Sequence, residues 1–232
     1  MKVFRSVGLK RWSILVAIAV IPLVVVVAAT PWSPFSASPS REATAESQSP
    51  PFPDVLRGKV LHITSEVITD IPPTFTQQTR EAWYEISTDG HVIRGHSVVT
   101  SPDGSLEQRG YYEDGTSYNL QTVSGDVITS RGASEPLHVS DVDARLAEGY
   151  QVIGDGGRGS GWTLLERDTS EARGTHYLYE GVRVGLEAIV KLPPPGRAGD
   201  IPLSVEVLDA FPNDERFEFP EWIDNSQPVE PN

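Results

Sequence analysis

Apolar and polar side chains alternate with a period of two along several stretches of this chain, and that pattern limits the folds it can adopt. In the clearest stretch, residues 182–191, aliphatic residues occupy the even positions and mostly polar or small residues the odd ones. Successive side chains of a β-strand point to opposite faces of a sheet, so the pattern predicts a half-buried strand. The same alternation occurs at Ala82, Tyr84 and Ile86, at Leu203, Val205 and Val207, and at Phe217 and Phe219.

Turn signals divide the first half of this strand-rich region at regular intervals. Asp89-Gly90, Asp103-Gly104, Asp114-Gly115 and Gly125-Asp126 follow one another at spacings of 14, 11 and 11 residues. Asp-Gly pairs supply the positive φ angles that tight hairpins require. Residues 58–131 are therefore predicted to form an antiparallel meander, in which each strand has one face that packs and one that can meet water.

Only one segment has a clear helical pattern. Ser140 and Asp143 have the spacing of a capping box, Val142 and Leu146 share a helix face, and Gly149 is a stop signal. Residues 54–59 are a candidate for one more turn. One short helix cannot cover a large sheet, so the sheet must bury its apolar face by curling on itself or around a ligand. The predicted fold class is α+β but mostly β: a curved antiparallel sheet, an open half-barrel, with one or two short helices, preceded by a single N-terminal transmembrane helix.

The amino terminus carries a membrane-targeting signal. Sixteen non-polar residues run without interruption from Ile14 to Ala29, after a basic stretch with Lys2, Arg5, Lys10 and Arg11. A helix over residues 13–30 would be about 27 Å long, enough to cross a membrane as a single-pass anchor. The positive-inside rule keeps residues 1–12 in the cytoplasm and places the rest outside it. The alternative is a signal peptide cleaved near Ala29, which would give a secreted protein.

The remaining organisation follows from composition. Residues 31–53 are rich in Pro, Ser, Ala and Glu and predict an extended linker. Residues 54–224 are predicted to form one extracytoplasmic β-rich domain, and residues 225–232 a disordered tail.

Charge and cysteine content exclude several classes of partner and site. Four of the 19 basic residues and none of the 32 acidic residues lie in the first 30 positions, so the remainder has a net charge of −17. Such a surface repels phosphate backbones, which argues against nucleic acid as a partner. The chain has no cysteine, which excludes disulfides, thiolate metal sites, a cysteine nucleophile and a lipidated N-terminal cysteine.

No catalytic or metal-binding motif stands out. The five histidines, at positions 62, 91, 96, 138 and 176, show no HExxH spacing, and no pair among the acidic residues is marked as catalytic. Residues 154–159 match GxGxxG, but the strand pattern after them favours a mobile hairpin loop over a phosphate-binding helix start. Asp141, Asp143 and Glu148 are better explained as acids around a helix than as a calcium site. We therefore expect no enzyme activity, no cofactor and no metal.

Aromatic residues recur on consecutive predicted strands, at Trp83, Tyr111, Tyr112, Tyr118, Trp162, Tyr177 and Tyr179. They either fill the core or line one surface. In the second case, the candidate ligand-contacting residues are Tyr84, Tyr112, Tyr118, Trp162, Val184 and Leu186.

Several segments together resemble the lipoprotein-carrier-like superfamily. They are residues 61–66 (LHITSE), 81–86 (EAWYEI), the turn at Asp89-Gly90, 101–104 (SPDG), 112–115 (YEDG), 201–206 (IPLSVE) and 217–220 (FEFP). That superfamily includes the periplasmic lipoprotein carrier, its outer-membrane receptor, the sensory domain of a sigma-factor regulator and mycobacterial lipid-binding lipoproteins. The resemblance implies a bent antiparallel half-barrel whose apolar concave face holds lipid or acyl chains, or in the regulator branch senses these or a peptide. The chain departs from the family in having one clear helix where carriers use several, and in lacking the lipobox cysteine.

Two functions follow as expectations. The first is a membrane-anchored extracytoplasmic domain that binds a lipid or another apolar ligand on the concave face of the sheet. The second is a cell-envelope sensor or protein-interaction domain without a small ligand, which uses its sheet edge or the loop at residues 154–161. Twelve residues before the apolar segment are too few for a cytoplasmic regulatory domain.

Overall fold

The computed structural model describes residues 50–113, 115–123, 126–132 and 135–213. The predicted membrane segment at 13–30, most of the linker, the alternation at Phe217 and Phe219 and the C-terminal tail all lie outside these ranges. Within them, no helix has the length and apolar character needed to cross a membrane. The described strands are β1 (Val60–Ile71), β2 (Thr74–Ile86), β3 (Val92–Thr100), β4 (Leu106–Glu113), β5 (Thr116–Val123), β6 (Asp126–Gly132), β7 (His138–Val139), β8 (Gln151–Val152), β9 (Trp162–Asp168), β10 (Ala172–Tyr179), β11 (Val182–Val190) and β12 (Gly196–Leu208).

All these strands belong to one antiparallel, unclosed and curved sheet, as the alternation predicts. The strand order is β6-β5-β4-β3-β2-β1-β12-β11-β10-β9-β8, with β7 paired to β11 away from this path. The meander predicted over residues 58–131 is confirmed, because β1 to β6 are neighbours in chain order. Gly90, Gly104 and Gly115 have positive φ angles in the turns after β2, β3 and β4, as the Asp-Gly signals require.

The sheet continues beyond β1 because the last described strand returns to its other side. β12 pairs with β1 along eleven residue pairs, from Val60 with Leu208 to Asp70 with Arg197. Its first half also pairs with β11, from Gly196 to Asp200. β1 and β12 therefore join the N-terminal meander to the C-terminal strands as one sheet.

Within the described ranges, helical structure is limited to a 3-10 turn at Asp54–Leu56 and to α1 at Val142–Ala147. Both were predicted, but the N-cap of α1 is Asp141 and not Ser140. The Asp141 carboxylate accepts a hydrogen bond from the Ala144 amide over 2.9 Å. Asp141 has an extended backbone, so the helix starts one residue later than the capping-box spacing suggested.

The main core cluster draws apolar side chains from both halves of the sheet and from the chain before β1. Its buried members include Phe52, Leu56, Leu61, Ile63, Ala82, Tyr84, Tyr112, Leu164, Tyr177, Val182, Val184 and Ile201. Smaller clusters form around Val60 and Trp83, and around Tyr150, Leu165 and Leu178. These clusters form the apolar interior of the part of the chain that the structure describes.

Two β-bulges interrupt the predicted alternation. Tyr177 pairs with Gly185 and Leu178 with Arg183, which makes Val184 an extra residue of β11. As a result Val182 and Val184 are buried, but further along the strand Glu187 is buried and Leu186 only half-buried. A bulge changes which residues face the core beyond it, so the regular alternation predicted for residues 182–191 is wrong in its second half.

The second bulge lies in β12. Thr64 pairs with Ser204 and Ser65 with Pro202, so Leu203 is the extra residue, and it is 59% exposed. The expectation that Leu203, Val205 and Val207 share a packed face is therefore wrong for Leu203. Only Val205 of the three packs against the main core cluster.

Candidate functional site

Strand register assigns the side chains of β1 to β5 to two distinct faces. Tyr84 pairs with Leu61 on one side and with Gly95 on the other, and Gly95 in turn pairs with Tyr112. These residues form the face that packs into the main core cluster. A Cβ atom on Gly95 would lie 2.8 Å from the Tyr84 ring, so glycine leaves room for the two tyrosines.

The opposite face carries a row of rings, one from each strand. His62, Trp83, His96, Tyr111 and Tyr118 are consecutive cross-strand partners. His62 stacks on Trp83 with 4.7 Å between ring centroids and 4° between planes, and His96 meets Tyr111 edge to face at 4.9 Å. His96 is only 2% exposed. Cross-strand aromatic pairs of this kind stabilise a sheet, so this row of rings has a structural role.

The chain that follows β12 crosses this same face. Lys59 Nζ contacts the Asp209 carboxylate at 2.6 Å, and that contact lowers the pKa of Asp209. Phe211 packs against the cluster of Val60 and Trp83 and has the Arg94 guanidinium 4.1 Å from its ring centroid. The described chain ends two residues later, at Asn213.

A cavity of about 210 Å³ opens beside the ring row, between β2, β3 and β4. Its lining combines rings, aliphatic groups and charges of both signs: Thr79, Glu81, Trp83, His96, Val98, Thr100 and Arg109. Small-molecule sites usually enclose about 300 to 1,000 Å³ and are mainly apolar. This cavity is smaller and more polar than such sites.

A second cavity, of about 340 Å³, lies near the hairpin that joins β1 and β2. Ile68 and Phe75 contribute apolar surface to its lining, and Phe75 is 68% exposed. The rest of the lining is polar, from Glu66, Asp70, Gln77 and Arg197.

Arg197, which lines this second cavity, also contacts the buried carboxylate of Glu187. Its Nε donates to Glu187 Oε1 over 2.6 Å, and the Tyr177 hydroxyl donates to Glu187 Oε2 over 2.8 Å. Glu187 is only 9% exposed. Burial and the hydrogen bond to Glu187 raise the pKa of Tyr177 to about 12. This group was missed in the sequence, because the alternation placed Glu187 on the solvent side.

The two strands at the ends of the described sheet differ in length. One end is β8, which has two residues, and the other is β6, which has seven. In the described part of the chain, β6 pairs only with β5. The described side chains of β5, at residues 116–121, are half-buried on both faces, and none of them belongs to the main core cluster.

The loop between β8 and β9 contains the GxGxxG match. Asp155 accepts hydrogen bonds from the Gly157 and Gly159 amides over 2.9 and 3.2 Å, and these bonds lower the pKa of its carboxyl. Arg158 donates to the Pro202 carbonyl oxygen over 2.5 Å. A strand and not a helix follows the loop, which confirms the hairpin prediction.

The six candidate ligand-contacting residues do not share one surface. Tyr84, Tyr112 and Val184 are buried in the main core cluster, and Trp162 is half-buried against it, with its ring 5.5 Å from that of Tyr179. Tyr118 lies on the face of the ring row, and Leu186 is half-buried opposite His176 and Asp200. Contact of these residues with a ligand stays a prediction.

Neither the described geometry nor the comparisons assign a known activity. Among the residues that the structure describes, no group of three or more His, Asp or Glu side chains is placed to hold a metal ion. Nothing in this part of the chain indicates enzyme activity. A scan against protein-family models finds no matching family, and a search of curated proteins finds no match. The likeness to the lipoprotein-carrier-like superfamily therefore stays a prediction.

Proposed function

We propose that this chain is a membrane-anchored, extracytoplasmic interaction domain that binds an extended segment of a partner protein along the outer edge of β6. The observation that supports this most is the position of β6, a seven-residue strand at the end of an unclosed sheet. The anchor in this proposal is the apolar segment at residues 13–30.

An open strand edge offers unpaired amide and carbonyl groups to another chain. Natural proteins usually blunt such edges with short strands, prolines, lysines or bulges. β8 is blunted by its length of two residues, but β6 has neither proline nor lysine and contains Val127, Ile128 and Thr129. Addition of a partner strand to an edge of this kind is a common mode of peptide recognition.

The rest of the architecture fits an interaction domain better than a carrier. The main core cluster packs protein side chains together in the interior, and the 210 Å³ cavity on the meander is smaller than usual ligand sites and has charges of both signs in its lining. No described side chain of β5 belongs to that core, so the end of the sheet beyond β4 is accessible to a partner from its edge.

The register identifies which β6 amides point outward. Val123 and Asp126 are cross-strand partners with two residues between them in the chain, as in a two-residue hairpin. The two residues that flank such a loop are hydrogen-bonded to each other. The amides of Asp126 and Ile128 are thus directed at β5, and those of Val127 and Thr129 away from it. Thr129→Pro removes the backbone amide that points away from β5 and leaves the hydrogen bonds between β5 and β6 intact. Thr129→Ala keeps this amide and the same hydrogen bonds.

The test is site-specific photo-crosslinking in intact cells, with the probe at Val127 and a control probe at Val152 on the opposite edge. We expect a partner adduct from Val127 that Thr129→Pro abolishes and Thr129→Ala preserves, with unchanged circular dichroism in both variants. Recovery of the monomer alone, or an adduct that Thr129→Pro leaves intact, would overturn the proposal. An adduct of twice the chain mass would identify a second copy as the partner.

Binding of a lipid or acyl chain is a second candidate, now favoured at the cavity near the β1–β2 hairpin. Exposed Phe75 and buried Ile68 supply the apolar part of its lining, and its volume of about 340 Å³ falls in the range of ligand sites. The other lining residues are polar and would contact a head group. Fluorescent fatty acid should then bind the wild-type chain and lose affinity in Phe75→Ser. Absence of lipid on organic extraction, together with no fatty-acid binding, would contradict this candidate.

A further inference from the structure

A basic cluster lies at the opposite end of the sheet from β6, where α1 packs on β9 and β10. Val142 of α1 rests on the small apolar cluster of Tyr150, Leu165 and Leu178. His176 of β10 is 5% exposed and meets the Tyr150 ring edge to face, with centroids 4.8 Å apart. Tyr150 and His176 form the floor of the cluster.

Three arginines from three elements surround this floor. Arg183 of β11 pairs with Leu178, which is two residues from His176 along β10, so its long side chain reaches the same face. Arg167 of β9 pairs with Gly174 on that face, and its Nε lies 3.8 Å from the point that a Cβ on Gly149 would occupy.

The third arginine comes from the helix. The Arg145 carbonyl oxygen accepts a hydrogen bond from the Tyr150 amide over 3.1 Å, which fixes the end of α1 beside the floor. The Arg145 guanidinium also contacts Glu148 at 2.7 Å.

Three arginines lie close together at this place, in a chain whose net charge is −13. Arg145, Arg167 and Arg183 all act on the Tyr150 hydroxyl, as does the Glu148 carboxylate. A second carboxylate, that of Glu135, lies 3.9 Å from His138, the cross-strand partner of Arg183. Burial and the charge of Arg145 lower the pKa of Arg183. Burial, with Arg145 and Arg183, likewise lowers the pKa of His176 to about 4, so this imidazole is neutral at pH 7.

Two polar groups of the cluster can form further hydrogen bonds. His176 Nδ1 is buried and has no hydrogen-bond partner in the described part of the protein. Arg183 is half-buried, and its five N–H donors make no ion pair with any carboxylate of the described ranges. Partial burial of the Arg183 guanidinium beside other positive charges costs free energy unless an anion balances its charge.

We propose that Arg145, Arg167 and Arg183 bind a phosphate group over the floor of Tyr150 and His176. Guanidinium groups match the oxygen geometry of phosphate and bind it through charge-assisted bidentate hydrogen bonds. Arg183, which makes no ion pair with a carboxylate of the described ranges, supplies positive charge that a bound phosphate balances. The site is independent of the proposed β6 interaction, because it is formed by other strands.

The test uses the full-length chain titrated with inorganic phosphate, with chloride at equal ionic strength as the reference anion and glycerol phosphate as a second arm. We expect a saturable rise in melting temperature with phosphate and none with chloride. The glycerol phosphate arm distinguishes a site for the free ion from one that accepts an ester. Bound phosphate should also raise the pKa of His176 from about 4, measured by NMR on the imidazole resonance that disappears in His176→Gln.

Matched arginine variants locate the site. Arg183→Gln should weaken phosphate binding about tenfold or more, because a hydrogen bond to a charged group contributes roughly 1.5–3 kcal/mol. Arg173→Gln is the control, since Arg173 lies on β10 with its side chain on the other face, 3.9 Å from Glu166. Equal effects of phosphate and chloride would overturn the proposal, as would full phosphate affinity in Arg183→Gln. The change in the pKa of His176 on addition of phosphate to the wild-type chain tests the proposal even where a variant fails to fold.

Discussion

Removal of a single hydroxyl group, in Tyr177→Phe, tests how the buried carboxylate of Glu187 is stabilised. The Tyr177 hydroxyl donates to Glu187 Oε2 over 2.8 Å, and Arg197 satisfies only the other oxygen. The variant leaves Oε2 buried without this donor. A hydrogen bond to a charged group contributes about 1.5–3 kcal/mol, so we expect the free energy of unfolding at pH 7 to fall by about 2 kcal/mol.

The pH dependence gives a separate estimate for the neutral Tyr177 hydroxyl as a whole, which includes its burial as well as its hydrogen bond to Glu187. The pKa of Tyr177 is raised from the ordinary value near 10 to about 12, by burial and by the bond to Glu187. Because the folded-state pKa is the higher one, this stabilisation is complete below pH 10 and is lost as the pH rises through 12. Each pKa unit corresponds to about 1.4 kcal/mol, so the loss amounts to about 3 kcal/mol over this window.

Urea denaturation followed by tryptophan fluorescence, at a series of pH values from 7 to 12, measures both effects. The difference between wild type and Tyr177→Phe should be about 2 kcal/mol at pH 7 and should shrink between pH 10 and 12. Tyr179→Phe is the control at pH 7, where we expect a change within about 0.5 kcal/mol. A Tyr177→Phe variant as stable as wild type, or a difference that stays constant up to pH 12, would refute the reasoning.

Three further predictions concern stability. Gly185→Ala should destabilise the fold by about 1–3 kcal/mol in urea melts, because its Cβ would lie 2.5 Å from the Asp200 carbonyl oxygen. Gly132→Ala, where a Cβ meets nothing within 4 Å, should leave the midpoint nearly unchanged. Ser65→Ala should raise the melting temperature, because the Ser65 hydroxyl is buried without a hydrogen-bond partner in the described ranges, and a fall of several degrees would contradict this. The pKa of His176 is lowered from 6.5 to about 4, so its contribution to stability is present above pH 6.5 and is lost as the pH falls toward 4. His176→Phe should lose less stability than wild type over that interval, and equal acid sensitivity of the two would argue against a buried neutral imidazole.

Local sequence patterns predicted much of this fold because they report on local geometry. Positive φ angles at Gly90 and Gly104 are required by tight turns, whatever the rest of the chain does. The alternation at Ala82, Tyr84 and Ile86 likewise holds in the structure, because no bulge interrupts the pairing of β2 with β1.

The patterns failed where a strand departs from regular pairing. Val184 and Leu203 are extra residues at bulges, and a bulge depends on the partner strand as much as on its own sequence. The burial of Glu187 beside Tyr177 follows from the first of these bulges. Nothing in the alternation of residues 182–191 signals it.

The sequence predicted a sheet edge as an interaction surface, but it did not indicate which strand forms that edge, and it did not predict the basic cluster. In the described part of the chain, β6 lies at the end of the sheet because β12 pairs with β1, a consequence of long-range topology. The basic cluster brings Arg145, Arg167 and Arg183 together from α1, β9 and β11, although no motif spans them.

The sequence by itself determined that the described part of this chain is strand-rich, where its meander turns, where helix α1 lies, and that its charge is strongly negative. These properties depend on residues close together in the chain, and neighbouring residues are constrained by the same few backbone angles and by side-chain alternation. Only the tertiary structure decided which strands lie at the ends of the sheet, where bulges reverse the faces, and which charges meet. The ends of the sheet depend on pairings between residues more than a hundred positions apart, such as Val60 with Leu208. The bulges and the meeting of charges depend on how partner strands align, which no local pattern specifies.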